Sequence, residues 1–410
     1  MTAPTPPTTR GALERREARL AWSLLLPTIA IVSLVIVLPL LSIFWISFKP
    51  VGLADLRPVA PMIRESLRER DGDFRLEYRV RNSSQTKPIA GMGFSDVIPD
   101  GVTLVEVPPN CTLNGATFAC AYGDVEGGFN ERLRIPVTLD GDPEVLEDVV
   151  EGSEPAHHGR GDSVLTNAEF TLDNFARIFD GKEFWQVLWA TLFYTVFGTI
   201  GALVVGLFAA LLLNKSFRGK GLLRGLYLFP YVSPIIAVAF TWVTLLDPFS
   251  GSLNALLIQM GVTSAPINFF GQRPLALIMV TVFEIWRYFP LSFLFILARM
   301  QSIDTDMYEA ADMDGASPFQ KFWYLSLPML LGILSVLFLL RFIWTFNKFD
   351  DIFLLTGGNA GTRTLTVNVY EQAFAISNIG AGAAVAVVIF AMLLLFSVFF
   401  FRFISQEEGL

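Results

Sequence analysis

Residues 304–328 read DTDMYEAADMDGASPFQKFWYLSLP, a charged, small-residue segment set between two long apolar runs. Asp304 can cap a short helix running through Asp312, and Asp306 and Glu309 sit near the end of that helix that favours carboxylates. Gly315 supplies the positive φ of a chain reversal. Ser317-Pro318 offers an N-cap followed by an N1 proline, so a second helix starts at once and leads into the next apolar run. Small Ala310, Ala311 and Ala316 leave room for close approach by another protein. The stretch predicts a compact helical knob between two membrane helices.

The rest of the composition fits that setting. The chain has 410 residues, 53% hydrophobic and 17% charged, with a mean hydropathy of +0.51. A helix needs roughly 20 apolar residues to cross the hydrocarbon core, so runs of this length indicate an integral membrane protein. Six transmembrane helices are predicted at about 20–48, 185–213, 222–246, 275–300, 325–347 and 380–404. The first follows a basic stretch like a signal peptide, but it is too long and lacks a small-residue cleavage pattern, so it reads as a retained helix.

Basic residues set the orientation. Arg10, Arg15, Arg16 and Arg19 precede the first span. Lys215, Arg218, Lys220 and Arg224 lie between spans two and three, Arg299 and Lys321 stand at the two ends of the segment between spans four and five, whose loop is 301–324, and Arg402 ends the last span. With six spans these all fall on one side, predicted to be the cytoplasm, with both termini inside. Residues 1–19 form the predicted N-terminal tail. The formal charge is −8, and the segment 51–165 alone carries 11 Lys and Arg against 20 Asp and Glu. Nothing in this balance suggests a nucleic-acid partner.

Residues 49–165 are too long for a connection and predict a small extracytoplasmic domain with an acidic linker. Phe74, Leu76, Tyr78 and Val80 alternate with Arg75, Glu77, Arg79 and Arg81, a period of two that defines a strand. Further strands are expected around 97–98, 102–105, 117–119 and 133–139, separated by turns at Pro99-Asp100-Gly101 and Asn114-Gly115. An antiparallel β-sandwich follows. Cys111 and Cys120 are the only cysteines. They flank the Asn114-Gly115 turn on the oxidising side, so a disulfide is expected, with two buried free thiols as the alternative. Residues 141–165 read as a linker. His157-His158 within it has too few companions for a metal site, and a solvated loop is the expectation.

Within the membrane, Tyr231-Val232-Ser233-Pro234 should unwind the third span and free backbone carbonyls, which must then face protein or a cavity. Glu284 and Arg287, spaced i, i+3, can pair inside the bundle, either lining a pathway or as a structural ion pair. Trp286, Tyr288, Trp344, Asn347 and Asp350 complete the candidate pathway set. The rings and amide suit sugar hydroxyls, with packing or interface anchoring as the competing reading for each aromatic residue. No catalytic constellation is present. The G-x-x-x-x-G-K-[ST] phosphate loop is missing too, since Arg218-Gly219-Lys220-Gly221 lacks its first glycine and its hydroxyl residue.

Glu309-Ala310-Ala311, then Gly315 after three residues, then Leu325, Leu327 and Pro328 after nine more, resemble the EAA motif of ABC-importer permeases, E-A-A-x3-G-x9-I-x-L-P. Leu325 replaces the Ile. Phe170-Thr171-Leu172-Asp173-Asn174-Phe175, Trp344 to Asp350, Leu355-Thr356-Gly357-Gly358 and Tyr370 to Phe374 resemble the sugar (maltose or glycerol-phosphate type) branch, with Asn359 where that branch has Pro. The resemblance covers about 170–405, within a permease domain placed at 166–405. Asp96 to Val102 with the two cysteines is similar to bacterial immunoglobulin-like repeats, over 70–142.

The first resemblance implies a non-catalytic permease subunit of an ATP-driven importer in the bacterial inner membrane. It implies a second permease, two copies of an ATP-binding subunit that hold ATP and Mg, and an extracytoplasmic solute-binding protein as partners. The cargo would be a carbohydrate or polyol, with the knob as coupling helix. An ion-driven secondary transporter, or a membrane-anchored surface receptor or adhesion protein using the β-domain, are the alternatives.

Overall fold

The computed structural model describes residues 12–403 apart from Pro58, Asp71, Thr86, Thr166, Gly181 and Lys182. Most of the N-terminal tail, Arg10 included, therefore lies outside the described residues, as does the C-terminal end after 403. The chain divides into two compact units, one made of Phe48–Leu172 with Ser377–Gly380 and the other of the remainder.

Among the described residues the helical unit has five uninterrupted segments long and apolar enough to cross a membrane: Arg19–Ser47, Glu183–Asn214, Leu275–Gln301, Pro318–Phe346 and Ile379–Arg402. The expected third span is a broken pair, Lys220–Val232 and Ile235–Leu245, bent by 89°. Ser233 and Pro234 make the break: Pro234 cannot donate to the helical ladder, and Ser233 leaves the helix in an extended conformation. The fifth span begins at Pro318 rather than near 325, because the capped turn at Ser317 runs on into it through a π-helical segment, Phe322–Ser326.

The second and fourth spans make the closest helix pair. A Cβ added at Gly206 would sit 2.7 Å from Ser292 Cβ and 2.9 Å from the Phe293 amide nitrogen, and one at Gly198 would lie 3.0 Å from Glu284 Cγ. Close approach at small residues replaces the hydrophobic drive that lipid does not supply. Phe283, Phe293, Ile296, Leu330 and Val385 are buried across the surrounding clusters.

The other unit is a two-sheet β-structure. Its strands are β1 Pro61–Arg70, β2 Asp73–Asn82, β3 Ile89–Val97, β4 Val102–Leu104, β5 Cys111–Asn114, β6 Thr117–Val125, β7 Asn130–Leu139 and β8 Ala156–Gly161. The sheet orders are β1-β2-β7-β4 and β5-β6-β3-β8. Leu76, Tyr78, Val80, Phe94, Phe118 and Ile135 fill the core. The Tyr78 hydroxyl donates to Asp96 at 2.7 Å, so the buried phenol has a partner. Cys111 and Cys120 are opposite one another in the β5–β6 hairpin and are disulfide-bonded.

The expected linker 141–165 is structured. Asp142 caps a helix at Pro143–Glu151, whose Leu146 and Val150 are buried in the core. His157 and His158 lie in β8, paired with Phe94 and Gly93 of β3. A loop reading failed here because Gly159 and Gly161 look like linker residues, yet each is packed too tightly for a side chain, against Ile89 and Val59 respectively.

Candidate functional site

Two places in the helical unit carry the candidate residues. The first is the knob. Asp304 accepts a hydrogen bond from the Asp306 amide at 3.1 Å and starts the helix Thr305–Met313. At its far end the Ala316 amide donates to the Ala311 carbonyl at 2.9 Å and the Gly315 amide to Asp312 at 3.1 Å. With φ 76° at Gly315 this is a Schellman cap, which satisfies the terminal carbonyls and reverses the chain. Ser317 and Gln320 exchange capping-box bonds of 3.3 and 2.8 Å. Lys321 pairs with Asp312 at 2.5 Å, and the Tyr308 hydroxyl meets Ser326 Oγ at 2.9 Å, tying the knob to the base of the fifth span.

Of the motif residues, Glu309, Ala310, Gly315 and Pro328 are exposed, and Ala311, Leu325 and Leu327 are half-buried. Two residues that pattern reading passed over stand out beside them. Met313 is 89% and Phe319 71% exposed, large apolar side chains on the two halves of an otherwise polar knob.

The second place is a polar cluster inside the bundle. Glu284 and Arg287 do not pair with each other. Glu284, fully buried, accepts from Arg341 at 2.7 Å, from the Tyr194 hydroxyl at 2.9 Å and from Thr345 at 3.0 Å. Arg287 instead donates to the carbonyls of Pro230 and Ser233, each at 3.0 Å. It satisfies carbonyl oxygens released by the break in the third span. The Glu284 carboxylate needs a cation, and Arg341 on the fifth span supplies it.

Tyr288 joins the same region. Its ring lies 4.8 Å from the Arg341 guanidinium and its hydroxyl is hydrogen-bonded to Lys348. Tyr231 packs edge-on against Tyr288 at 6.0 Å. Lys348 is 3.8 Å from the buried Asp351 carboxylate and 3.9 Å from exposed Asp350. The remaining candidates lie elsewhere. Trp286 packs against Trp242 and Phe283, Trp344 is about half exposed, and exposed Asn347 donates to its own helix at Ile343.

The structure thus adds Tyr194, Arg341, Thr345, Lys348 and Asp351 to the sequence-derived set. A lone Arg in the apolar run Leu327–Phe346 was the available signal for Arg341. Among the described residues two buried carboxylates and three cations lie in this low-dielectric interior; Glu284 is fully engaged, whereas neither oxygen of Asp351 has a hydrogen bond and its cation, Lys348, stands 3.8 Å away. Such an arrangement can hold polar groups of a solute, or lock helices together until a partner is exchanged.

A family model described as "binding-protein-dependent transport system inner membrane component" matches residues 202–407. The chain is 36% identical over 229 residues to an inner membrane ABC transporter permease of Escherichia coli, YcjO, covering 54% of this chain and 75% of that one. It is 32% identical over 232 residues to the trehalose/maltose permease MalF of Thermococcus litoralis, covering 56% and 78%. It is 31% identical over 244 residues to the sulfoquinovosyl glycerol permease SmoG of Agrobacterium fabrum, covering 59% and 79%. A bacterial alginate ABC transporter, crystallised with its periplasmic protein bound to an alginate pentasaccharide, contains a chain of similar fold. The TM-score is 0.53 at 20% identity, over 58% of this chain and 84% of that one.

Proposed function

Since the chain belongs to the family of binding-protein-dependent transport system inner membrane components, we propose that it passes a carbohydrate or polyol through its broken-helix region when an ATPase partner closes on the knob. The observation that carries this reading is the match over 202–407, which contains the Schellman-capped knob and, Tyr194 apart, the Glu284 cluster. Named relatives that move trehalose, maltose or sulfoquinovosyl glycerol support the cargo class.

In this reading the subunit works with a second permease, two ATP-binding subunits that hold ATP and Mg, and an extracytoplasmic solute-binding protein. Glu309, Ala310, Ala311 and Gly315 form the docking part of the knob, and Leu325, Leu327 and Pro328 join it to the fifth span. Both termini and the knob are cytoplasmic, following the basic residues. The β-unit is an extracytoplasmic immunoglobulin-like insertion. Tyr231, Ser233, Glu284, Arg287 and Tyr288, with Arg341 and Lys348, border the translocation path.

The test is reconstitution of the chain with candidate ATPase, permease and binding-protein partners in vesicles. ATP-dependent uptake of a sugar that requires the binding protein is the expected result. Uptake that ignores ATP and follows an imposed proton or sodium gradient would identify a secondary transporter instead. Absence of any uptake, with the β-unit still binding a surface ligand, would favour the receptor reading.

A further inference from the structure

The β-unit is acidic overall, yet one face of it is not. In the sheet β1-β2-β7-β4, register places Arg64 opposite Arg79 and Arg79 opposite Arg132. Alternation along each strand puts all three on the outward face, where all are exposed. Arg68 lies opposite Arg75 on the same face, two positions along, beyond the Ser66–Glu77 pair. Like charges directly opposite each other destabilise a sheet. Here the cost is incurred three strands in a row.

Carboxylates do not cancel it. Glu77 is committed to Arg134 at 3.0 Å, and Glu151 approaches Arg68 only to 3.7 Å. Arg79 donates to Asn130 at 3.3 Å, a neutral partner. Among the described residues no ion pair involves Arg64, Arg75 or Arg132. Arg64, Arg68, Arg79 and Arg132 line a cleft of about 960 Å³ together with Ser66, Ser153 and the carboxylates Glu65, Glu77, Glu151 and Glu154, so the cleft as a whole is mixed in charge and the exposed Arg64–Arg79–Arg132 row is its basic part.

We propose that this face binds a linear acidic polysaccharide, its carboxylates engaged by the Arg64–Arg79–Arg132 row. Neighbouring strands are about 4.8 Å apart, so the row spans about 10 Å at an even pitch. That pitch is comparable to one pyranose residue in an extended chain, and the planar fork of Arg matches a carboxylate bidentately. Shape and charge select a slim chain over a broad anionic surface. The segment 51–165 carries 11 basic against 20 acidic residues. A bilayer or nucleic-acid duplex laid on this unit meets that excess repulsion, whereas a single glycan strand can touch the row alone. The inference rests on the β-unit and is independent of the transport reading.

The test uses the full chain in detergent micelles at low salt, titrated with a uronate hexasaccharide, with a neutral glucose hexasaccharide and phosphatidylglycerol vesicles as parallel probes. Saturable binding of the uronate chain is expected, weakened at least tenfold in Arg79→Gln/Arg132→Gln and unchanged in Arg160→Gln, which lies off this sheet. The single variant Arg79→Gln should also fold with unchanged or raised thermal stability, since it removes a like-charge neighbour. No uronate binding, equal binding of the neutral chain, or uronate binding undiminished in the double variant overturns the proposal. Binding confined to the vesicles overturns it in favour of a lipid surface.

Discussion

Replacing Gly315 with Val isolates what the knob's shape contributes. A Cβ placed at this position meets nothing within 4 Å, so the substitution creates no clash in the subunit itself. The cost is conformational. Holding an L-residue at φ 76° costs about 1–2 kcal/mol, at the upper end for a β-branched side chain. The alternative is to leave the left-handed region and lose the two Schellman bonds, at about 1 kcal/mol each. Both routes converge on about 2 kcal/mol, enough to shift the knob's conformational population by roughly thirtyfold. That loss is local, so the Tm of the isolated subunit should move by only a few degrees. Binding-protein-stimulated ATPase activity and sugar uptake in reconstituted vesicles should fall more than tenfold. Gly315→Asn, which tolerates the left-handed region, should recover most of that loss. Full transport by the Val variant refutes the reasoning. If Asn is as poor as Val, the backbone argument is wrong and the open space beside Gly315 is filled by a partner.

Glu284→Gln and Arg341→Met should each destabilise the helical unit by about 3–5 kcal/mol, because each strands a buried charge or its partners. The double variant should cost clearly less than the sum, and additivity in a detergent unfolding cycle would show the two residues to be uncoupled. In the β-unit, burial pushes the Glu65 carboxyl up to about 8, the Ser153 hydrogen bond opposing and nearby Asp96 adding to the rise. The acid is then neutral when folded and ionised when unfolded between about pH 4.5 and 8. Stability should therefore be highest below that window and fall as pH rises through it. After discounting for partial exposure the loss is about 1–2 kcal/mol, and Glu65→Gln should flatten the Tm profile between pH 5 and 9. Cys111→Ser/Cys120→Ser opens a short loop, since the two cysteines are nine residues apart. Its cost should be about 2–3 kcal/mol by loop entropy, read as a lower Tm for the β-unit alone.

The spans and the knob were legible because their signals are local. Apolar run length, Asp304, Gly315 and Ser317-Pro318 each dictate a conformation without reference to distant residues. The kink at Ser233-Pro234 was equally readable. Partner choice for Glu284 was not. Spacing along one helix offered Arg287, whereas the fold brings Arg341 from 57 residues away and sends Arg287 to two carbonyls. The strand β1 escaped pattern reading because Arg64, Glu65, Arg68 and Glu69 place charges at both inward and outward positions. β8 escaped because its two glycines resemble linker composition, although tight packing is what requires them.

The π-helical segment Phe322–Ser326 gives the spacing between Gly315 and Pro328 a geometric meaning. A regular α-helix advances about 100° per residue, and a π turn takes up one residue more than the α repeat. Everything beyond the segment is therefore out of phase, by about that angle, with a helix that ran straight from Ser317. The extra residue acts as an indexing tooth. It sets which way the fifth span, with Arg341 near its far end, points for a given attitude of the knob. The Tyr308–Ser326 bond closes on the last residue of the segment, so the knob is tied to the span at the point where that phase is set.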